Sequence, residues 1–193
     1  AIGVVLHHAG LFAHRQLGIS YCNDVFDPGM IGVDFFFVLS GFIITSVHGQ
    51  DIGKPDAAPT YLKRRFFRIY PLLLILTAVK LLIECVQGGQ RSLGNILSSF
   101  LLLPPPKGEY PIITAAWTLQ HEALFYGLFL LAILTGKRVA LVLSTLWVAL
   151  MVVARFGQIH GIVAFVLHPH HTEFLIGCLA SLILARKQSR CLS

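Results

Sequence analysis

The chain has 193 residues, of which 55% are hydrophobic and only 12% are charged, and its mean hydropathy is +0.75. About one-quarter of the residues in a soluble domain are charged, so this composition excludes a soluble globular domain and predicts a polytopic membrane protein. The net charge of +6 does not indicate a nucleic-acid partner, because the basic residues fall between apolar runs, where they orient helices. The cysteines have no CxxC spacing, so we interpret them as packing residues: Cys22, Cys85, Cys178 and Cys191.

The first apolar run, residues 1–12, contains His7 and His8. It is shorter than the roughly 20 residues of a spanning helix, so the chain is predicted to begin inside its first membrane helix. It has no basic n-region and no small-residue cleavage site, so we do not expect a signal peptide. A single histidine in such a helix is more often a packing residue. Two adjacent histidines face different sides, however, so at least one is expected to face the bundle interior.

The second apolar run, residues 31–44, carries one carboxylate, Asp34, near its start. A charge at membrane depth costs several kcal/mol unless it is paired or hydrated, so a buried carboxylate is usually functional. The alternative is that Asp34 lies at the headgroup level, because an acidic residue suits the first turn of a helix. Both interpretations remain open from the sequence.

A polar linker is predicted over residues 48–71, and it ends in a basic cluster of Lys63, Arg64, Arg65 and Arg68. The positive-inside rule predicts that this loop, residues 49–69, is cytoplasmic. On a helix Arg64 and Arg68 would lie four apart on one face, which is a geometry that can bind a phosphate or diphosphate. The alternative is a purely topological role.

The remaining apolar runs predict four further spans, over residues 72–86, 117–136, 139–154 and 162–185. Residues 93–103 are too short to cross, because eleven residues of helix rise only about 16 Å, so they are predicted to be re-entrant or interfacial. With this assignment ten of the fifteen basic residues lie inside and four outside, whereas a crossing by residues 93–103 would remove the bias. We therefore predict an all-α polytopic bundle, with about six spans and one short segment, in a single domain over residues 1–193.

This topology predicts a site near the outer surface. His8, Asp34 and Glu122 each lie roughly 7 to 10 Å below that surface, at about 1.5 Å per helical residue. An imidazole and carboxylates at one depth could form a general-base site, because a carboxylate orients a histidine and raises its basicity. Topology alone does not make the three helices neighbours.

A histidine-rich stretch near the end of the chain invites comparison with a zinc site: His168, His170, His171 and Glu173. Pro169 interrupts the helix, so two histidines cannot share a helical face at the usual spacing of four. Thr172 and Glu173 instead predict the start of the last helix. We predict no metal site.

Four segments, VVLHHAG, GVDFFFVLSGFIIT, YLKRRFFRIYP and WTLQHEALFYGLF, occur in this order over about 120 residues. This set is similar to the acyltransferase-3 family of integral-membrane O-acyltransferases. The resemblance implies transfer of an acyl group, commonly acetyl from acetyl-CoA, to sugars of polysaccharides, lipopolysaccharide, peptidoglycan, antibiotics or glycolipids. It implies acyl-CoA as a co-substrate rather than a bound cofactor, together with a carbohydrate or glycolipid acceptor and a place in the bacterial inner membrane.

The resemblance also implies roles for individual residues. The catalytic histidine falls on His8, with His7 as a close competitor, and the carboxylates fall on Asp34 and Glu122. The donor-binding motif falls on Arg64, Arg65 and Arg68. The last motif includes Trp117, Glu122, Phe125 and Tyr126. Substrate-site positions are His7, Ser40, Trp117, His121 and Tyr126.

The chain departs from the family pattern in three respects. An arginine about eleven residues before the histidine would precede residue 1. The R-x-x-E-F-x-x-G pattern is present as HHTEFLIG, with His170 in place of the arginine. The chain offers about six spans where members have about ten, so we expect a fragment with an incomplete first helix and missing C-terminal spans. The alternatives to acyl transfer are a transporter or flippase of a lipid-linked or acyl substrate, and an inactive remnant.

Overall fold

The computed structural model describes residues 31–191, and side chains are described through residue 187. Within this range the chain is helical and has no strands. Two short 3-10 turns, Gly49–Asp51 and Pro55–Ala57, follow the first helix. The helices in this range are α1 (Ile31–His48), α2 (Ala58–Val86), α3 (Leu93–Leu101), α4 (Ala116–Thr135), α5 (Lys137–Ala154), α6 (Gly161–Val166) and α7 (His170–Cys191).

Five helical segments in the described part of the chain are long and apolar enough to cross a membrane: Ile31–Asp51, Pro55–Val86, Ala116–Thr135, Lys137–Ala154 and Gly161–Lys187. Each overlaps one span predicted from the sequence. The first predicted span, with His7 and His8, lies outside the described residues. The all-helical membrane class is therefore confirmed, and the number of six stays a prediction.

The predicted polar linker over residues 48–71 is wrong in its second half, because α2 begins at Ala58 and continues through Pro71 to Val86. Pro59 lies in the first turn, where a missing N–H removes no helical hydrogen bond. At 29 residues α2 is about 43 Å long, which exceeds the roughly 30 Å hydrocarbon core. The basic cluster is thus part of a helix rather than of a loop.

The described chain divides into two compact units, and residues 47–171 form one of them. In this unit α2 and α4 are antiparallel neighbours. Gly53 N donates to Ile133 O at 3.0 Å, and Tyr61 Oη donates to Tyr126 O at 3.0 Å. The next long helix, α5, packs against α4. Trp147 Nε1 of α5 donates to Val166 O at 2.9 Å, and this hydrogen bond links the short α6 to α5.

The other unit contains residues 31–46 and 172–191, from α1 and α7. The two helices approach backbone to backbone, because a Cβ added to Gly41 would overlap the carbonyl of Phe174, and one added to Gly177 would overlap that of Val38. Small residues allow such approach between membrane helices. Ser46 and Ser181 hydroxyls are 2.9 Å apart at the end of this contact.

The interruption predicted at Pro169 is confirmed, since α6 ends at Val166 and α7 begins at His170. The predicted start at Thr172 is two residues late. Glu173 lies in the first turn of α7, as expected of an acidic residue near a helix N-terminus.

Candidate functional site

The antiparallel pairing of α2 and α4 brings Arg68 and Glu122 together. Arg68 Nη2 lies 3.7 Å from Glu122 Oε1. The Glu122 side chain is only 2% exposed, whereas that of Arg68 is 43% exposed. Tyr126, one turn further along α4, donates its hydroxyl hydrogen to the same Oε1. Glu122 is therefore a buried carboxylate that is held from two sides.

Arg65 extends this network along α2. Its guanidinium lies over the rings of Tyr61 and Tyr126, with the carbon 5.6 Å and 5.0 Å from the two centroids. Both distances are within the range of a cation–π interaction. Tyr61 is fully buried and also stacks on Phe129 at 5.8 Å. Two tyrosines thus hold the charged group of Arg65, and one of them, Tyr126, also donates to Glu122.

Arg64 is exposed and occupies the position four residues before Arg68 on the same helix. The predicted helical spacing of these two residues is therefore present. Glu122 offsets one positive charge, so the three arginines keep a net positive charge next to a buried carboxylate. Arginine forks match the geometry of phosphate oxygens, so this surface can bind a phosphorylated ligand through Arg64 and the exposed part of Arg68.

The sequence predicted the basic cluster and Glu122 near opposite membrane surfaces, and this separation is wrong. The error arises because the continuous apolar run begins only at residue 72, so Arg68 fell outside the predicted helix. In the structure Arg68 lies ten residues inside α2, on the part of the helix that pairs with α4. The predicted donor-binding residues and the predicted carboxylate therefore belong to one cluster.

His121 belongs to a second, aromatic cluster at the first turns of α4. Its Nδ1 lies 3.2 Å from Nε2 of His171, which is fully buried and also lies 3.1 Å from the Phe165 carbonyl. Because an N–H must serve that carbonyl, Nε2 of His171 is the donor and Nδ1 of His121 the acceptor. The indole of Trp117 lies 6.0 Å from the His121 ring.

Sequence reasoning missed His171 and Trp147 as members of this cluster. The Trp147 ring lies 4.9 Å from that of His171. Both residues come from helices that follow α4 in the chain, and no spacing in the sequence links them to His121. His168 and His170, from the same stretch, have rings 4.5 Å apart.

The remaining predicted site residues lie elsewhere. Asp34 is half-buried in the first turn of α1, and both interpretations of its role stay predictions. Ser40 is buried in the middle of the same helix. His7 and His8 lie outside the described residues.

Comparison with known proteins adds an independent observation. The family model described as "Acyltransferase domain" matches residues 1–190. Exopolysaccharide production protein ExoZ of Rhizobium meliloti (strain 1021) is 31% identical over 138 residues, which are 67% of this chain and 43% of that protein. Protein 2 in picA locus of Rhizobium radiobacter is 27% identical over 179 residues, 80% of this chain and 88% of that protein.

Acyltransferase MdmB of Streptomyces mycarofaciens is 30% identical over 127 residues, 61% of this chain and 32% of that protein. The chain therefore spans less than half the length of ExoZ and of MdmB. No solved structure matches the chain. The matches and the five long apolar helices together identify an integral membrane protein.

Proposed function

Because the chain belongs to the acyltransferase-3 family, we propose that it moves an acyl group, commonly acetyl, from acyl-CoA to a hydroxyl of a carbohydrate or glycolipid. The names of two relatives support this choice, since one is an exopolysaccharide production protein and another an acyltransferase. The site lies in the bacterial inner membrane in this proposal, with residues 49–69 on the cytoplasmic side, where acyl-CoA is available.

The observation that carries the proposal is the cluster of Arg65, Arg68, Glu122 and Tyr126. A donor such as acyl-CoA has several phosphate groups, and the exposed part of Arg68 and the neighbouring Arg64 supply forks for them. Glu122 and the tyrosines hold these arginines in place. The arginines therefore bind the phosphates of acyl-CoA, and Glu122 stabilises the positive charge that forms at the reacting end.

His8 is the general base in the proposed reaction. It removes the proton from the acceptor hydroxyl as that oxygen attacks the thioester carbonyl. A new ester C–O bond forms, the C–S bond breaks, and the proton on His8 passes to the departing CoA sulfur. An acyl-histidine intermediate would give the same products in two steps. Asp34 or Glu122 stabilises the charged imidazole, and Ser40, His7, Trp117, His121 and Tyr126 shape the substrate site.

Membrane vesicles that contain the whole protein, incubated with acetyl-CoA labelled in the acetyl group, test the proposal. We expect release of free CoA thiol and transfer of label into the glycan or glycolipid fraction of the same vesicles. Vesicles with an Arg68→Ala variant, inserted at equal amount, should show neither. Thioester consumption no greater than in vesicles without the protein would reject acyl transfer and favour a transporter or an inactive chain.

A further inference from the structure

The polarity of α3 is inverted for a helix in water. Its polar residues Asn95, Ser98 and Ser99 are buried, with 0%, 7% and 4% exposure. The leucines on the opposite side are exposed: Leu93 at 72%, Leu97 at 51% and Leu101 at 56%. Residues four apart share a helix face, so these leucines form one continuous stripe, here called the leucine face. A helix on a water-exposed surface has the reverse arrangement.

The chain after α3 turns back toward the start of the same helix. Ser92 Oγ, which also caps α3, donates to Glu109 Oε1 at 2.8 Å. Gly94, in the first turn, is so close to the returning chain that a Cβ would lie 3.2 Å from Pro106 Cγ. Residues 106–109 therefore lie next to the N-terminal end of α3. A segment that returns in this way does not reach the opposite surface of a bilayer.

Side chains satisfy the irregular backbone that follows α3. Asn95 Nδ2 donates to Tyr110 O at 2.9 Å, and Ser99 Oγ accepts from Ile112 N at 3.1 Å. Gln120 of α4 donates to Leu103 O at 2.7 Å. Non-helical backbone at membrane depth requires such internal partners, because lipid supplies none. The buried polar face of α3 has this role.

The direction of α7 relative to α1 constrains α3 independently. Phe37 contacts Phe174, and further along both helices Ser46 contacts Ser181. Residue numbers thus increase in the same direction in α1 and α7, so the two helices are parallel. Three long helices, α2, α4 and α5, lie between them in the chain. Three crossings leave α1 and α7 parallel, and a fourth crossing by α3 would make them antiparallel.

We propose that residues 92–115 form a re-entrant hairpin whose leucine face contacts the acyl chains of the bilayer. An amphipathic helix that lies flat in the interface turns its polar face to water. Here the polar face is buried against protein instead, so the exposed leucines require an apolar medium. Arg91 and Glu84, with Nε and Oε2 2.8 Å apart, supply charged groups at the headgroup end of the hairpin.

The hairpin sets the depth at which α4 begins. Tyr110 is hydrogen-bonded to Asn95, near the start of α3, whereas Ile112 is hydrogen-bonded to Ser99, about one turn further along that helix. The chain therefore runs back into the membrane between Tyr110 and Ile112. Ser99 lies seven residues beyond Ser92, so this level is about 10 Å below the start of α3. The helix α4 begins only after it, which places Glu122 deeper than a helix starting at the surface would and accounts for its contact with Arg68.

Depth measurements on nitroxide labels test the hairpin. In a whole-protein background with serine at all cysteine positions, Leu93→Cys, Leu97→Cys and Leu101→Cys are labelled in turn and reconstituted in phospholipid vesicles. Accessibility to oxygen and to a water-soluble nickel complex gives the depth of each label. Leu146→Cys, exposed in the middle of α5, is the lipid reference, and Gln90→Cys, exposed before α3, is the water reference.

We expect depth to increase from Leu93 to Leu97 to Leu101, by about 6 Å for each step of four residues. Oxygen should reach the last two labels as readily as it reaches the Leu146 reference. Equal depth at all three positions would reject the hairpin in favour of an interfacial helix. Labels shielded from both reagents would show that protein, such as a second copy, covers the leucine face. Nickel accessibility like that of Gln90 would place α3 in water, and it would also reject the proposal.

Discussion

Arg68 and Glu122 lie on adjacent antiparallel helices, with Nη2 and Oε1 3.7 Å apart, and the carboxylate is buried while the Arg68 side chain is 43% exposed. This asymmetry gives the two residues different expected roles. The arginine can contact a ligand directly, whereas the glutamate acts on the arginine and on Tyr126. Variants of the two residues should therefore fail in different kinetic parameters.

Replacing Arg68 by Lys should raise the KM for acyl-CoA about tenfold or more, because a hydrogen bond to a charged group contributes roughly 1.5–3 kcal/mol. Lysine keeps the charge but loses the planar fork. Donor kinetics in membranes at saturating acceptor would measure this. Arg138→Lys, at the start of α5, is the matched control and should leave the KM unchanged. If the KM for acyl-CoA were the same in Arg68→Lys as in Arg138→Lys, the basic cluster would have only a topological role.

Replacing Glu122 by Gln should lower kcat on the order of a hundredfold, the lower limit of what an acid–base or charge-orienting group contributes. The amide has nearly the same shape but no charge to stabilise the imidazolium of the proposed base. Tyr126→Phe removes only the hydrogen bond to Oε1 and should cost about tenfold. Rates of label transfer from acetyl-CoA would compare them. If Tyr126→Phe were the more damaging, Glu122 would not be the centre of the network.

Replacing His8 by Ala in the whole protein should abolish acyl transfer without loss of membrane insertion, since the imidazole is the proposed base. His7→Ala is the comparison variant, because it changes the neighbouring substrate-site histidine in the same apolar run, and it should keep measurable transfer. Transfer is followed by labelled product and insertion by protease protection. Normal transfer in His8→Ala with loss in His7→Ala would move the role to His7.

Replacing Gly41 or Gly177 by Ala should destabilise the protein by on the order of 1–3 kcal/mol or more, because the new methyl group meets the backbone of the facing helix. Gly127→Ala is the control, since a Cβ there meets nothing within 4 Å, and alanine favours a helix interior by about 0.5–1 kcal/mol over glycine. Thermal unfolding midpoints in detergent would rank the variants. A midpoint unchanged in Gly41→Ala would mean that the helices separate easily.

The sequence predicted the parts of the fold that depend on local pattern. Apolar runs identified every long helix of the described range, and the length of residues 93–103 excluded a crossing. The motif blocks also identified the family, which the match over residues 1–190 confirms. They selected Arg65, Arg68 and Glu122 as site residues, and those roles stay predictions. The contact between the blocks was not predictable, because it depends on a helix that continues through Pro71 and on the depth set by a hairpin.

The same limit explains the two contacts that were missed. His121 meets His171 only because the chain at residues 161–171 folds back to α4, and neither residue type implies the other. Gly41 is followed four residues on by Thr45, and Gly177 by Ser181, which is a small-residue spacing found at close contacts of membrane helices. This spacing does not say which other helix each glycine meets. Such pairings follow from the arrangement of whole helices.

The contact between α1 and α7 also determines when the protein can finish folding. Ser46 and Ser181 are separated by 135 residues, so at about 5–20 residues per second a ribosome needs roughly 7 to 27 seconds to make the second after the first. During that interval the glycine side of α1 has no native neighbour from α7. Lipid or the insertion machinery must cover it until α7 emerges, and premature termination before residue 170 would leave that surface permanently uncovered, as a target for membrane proteases.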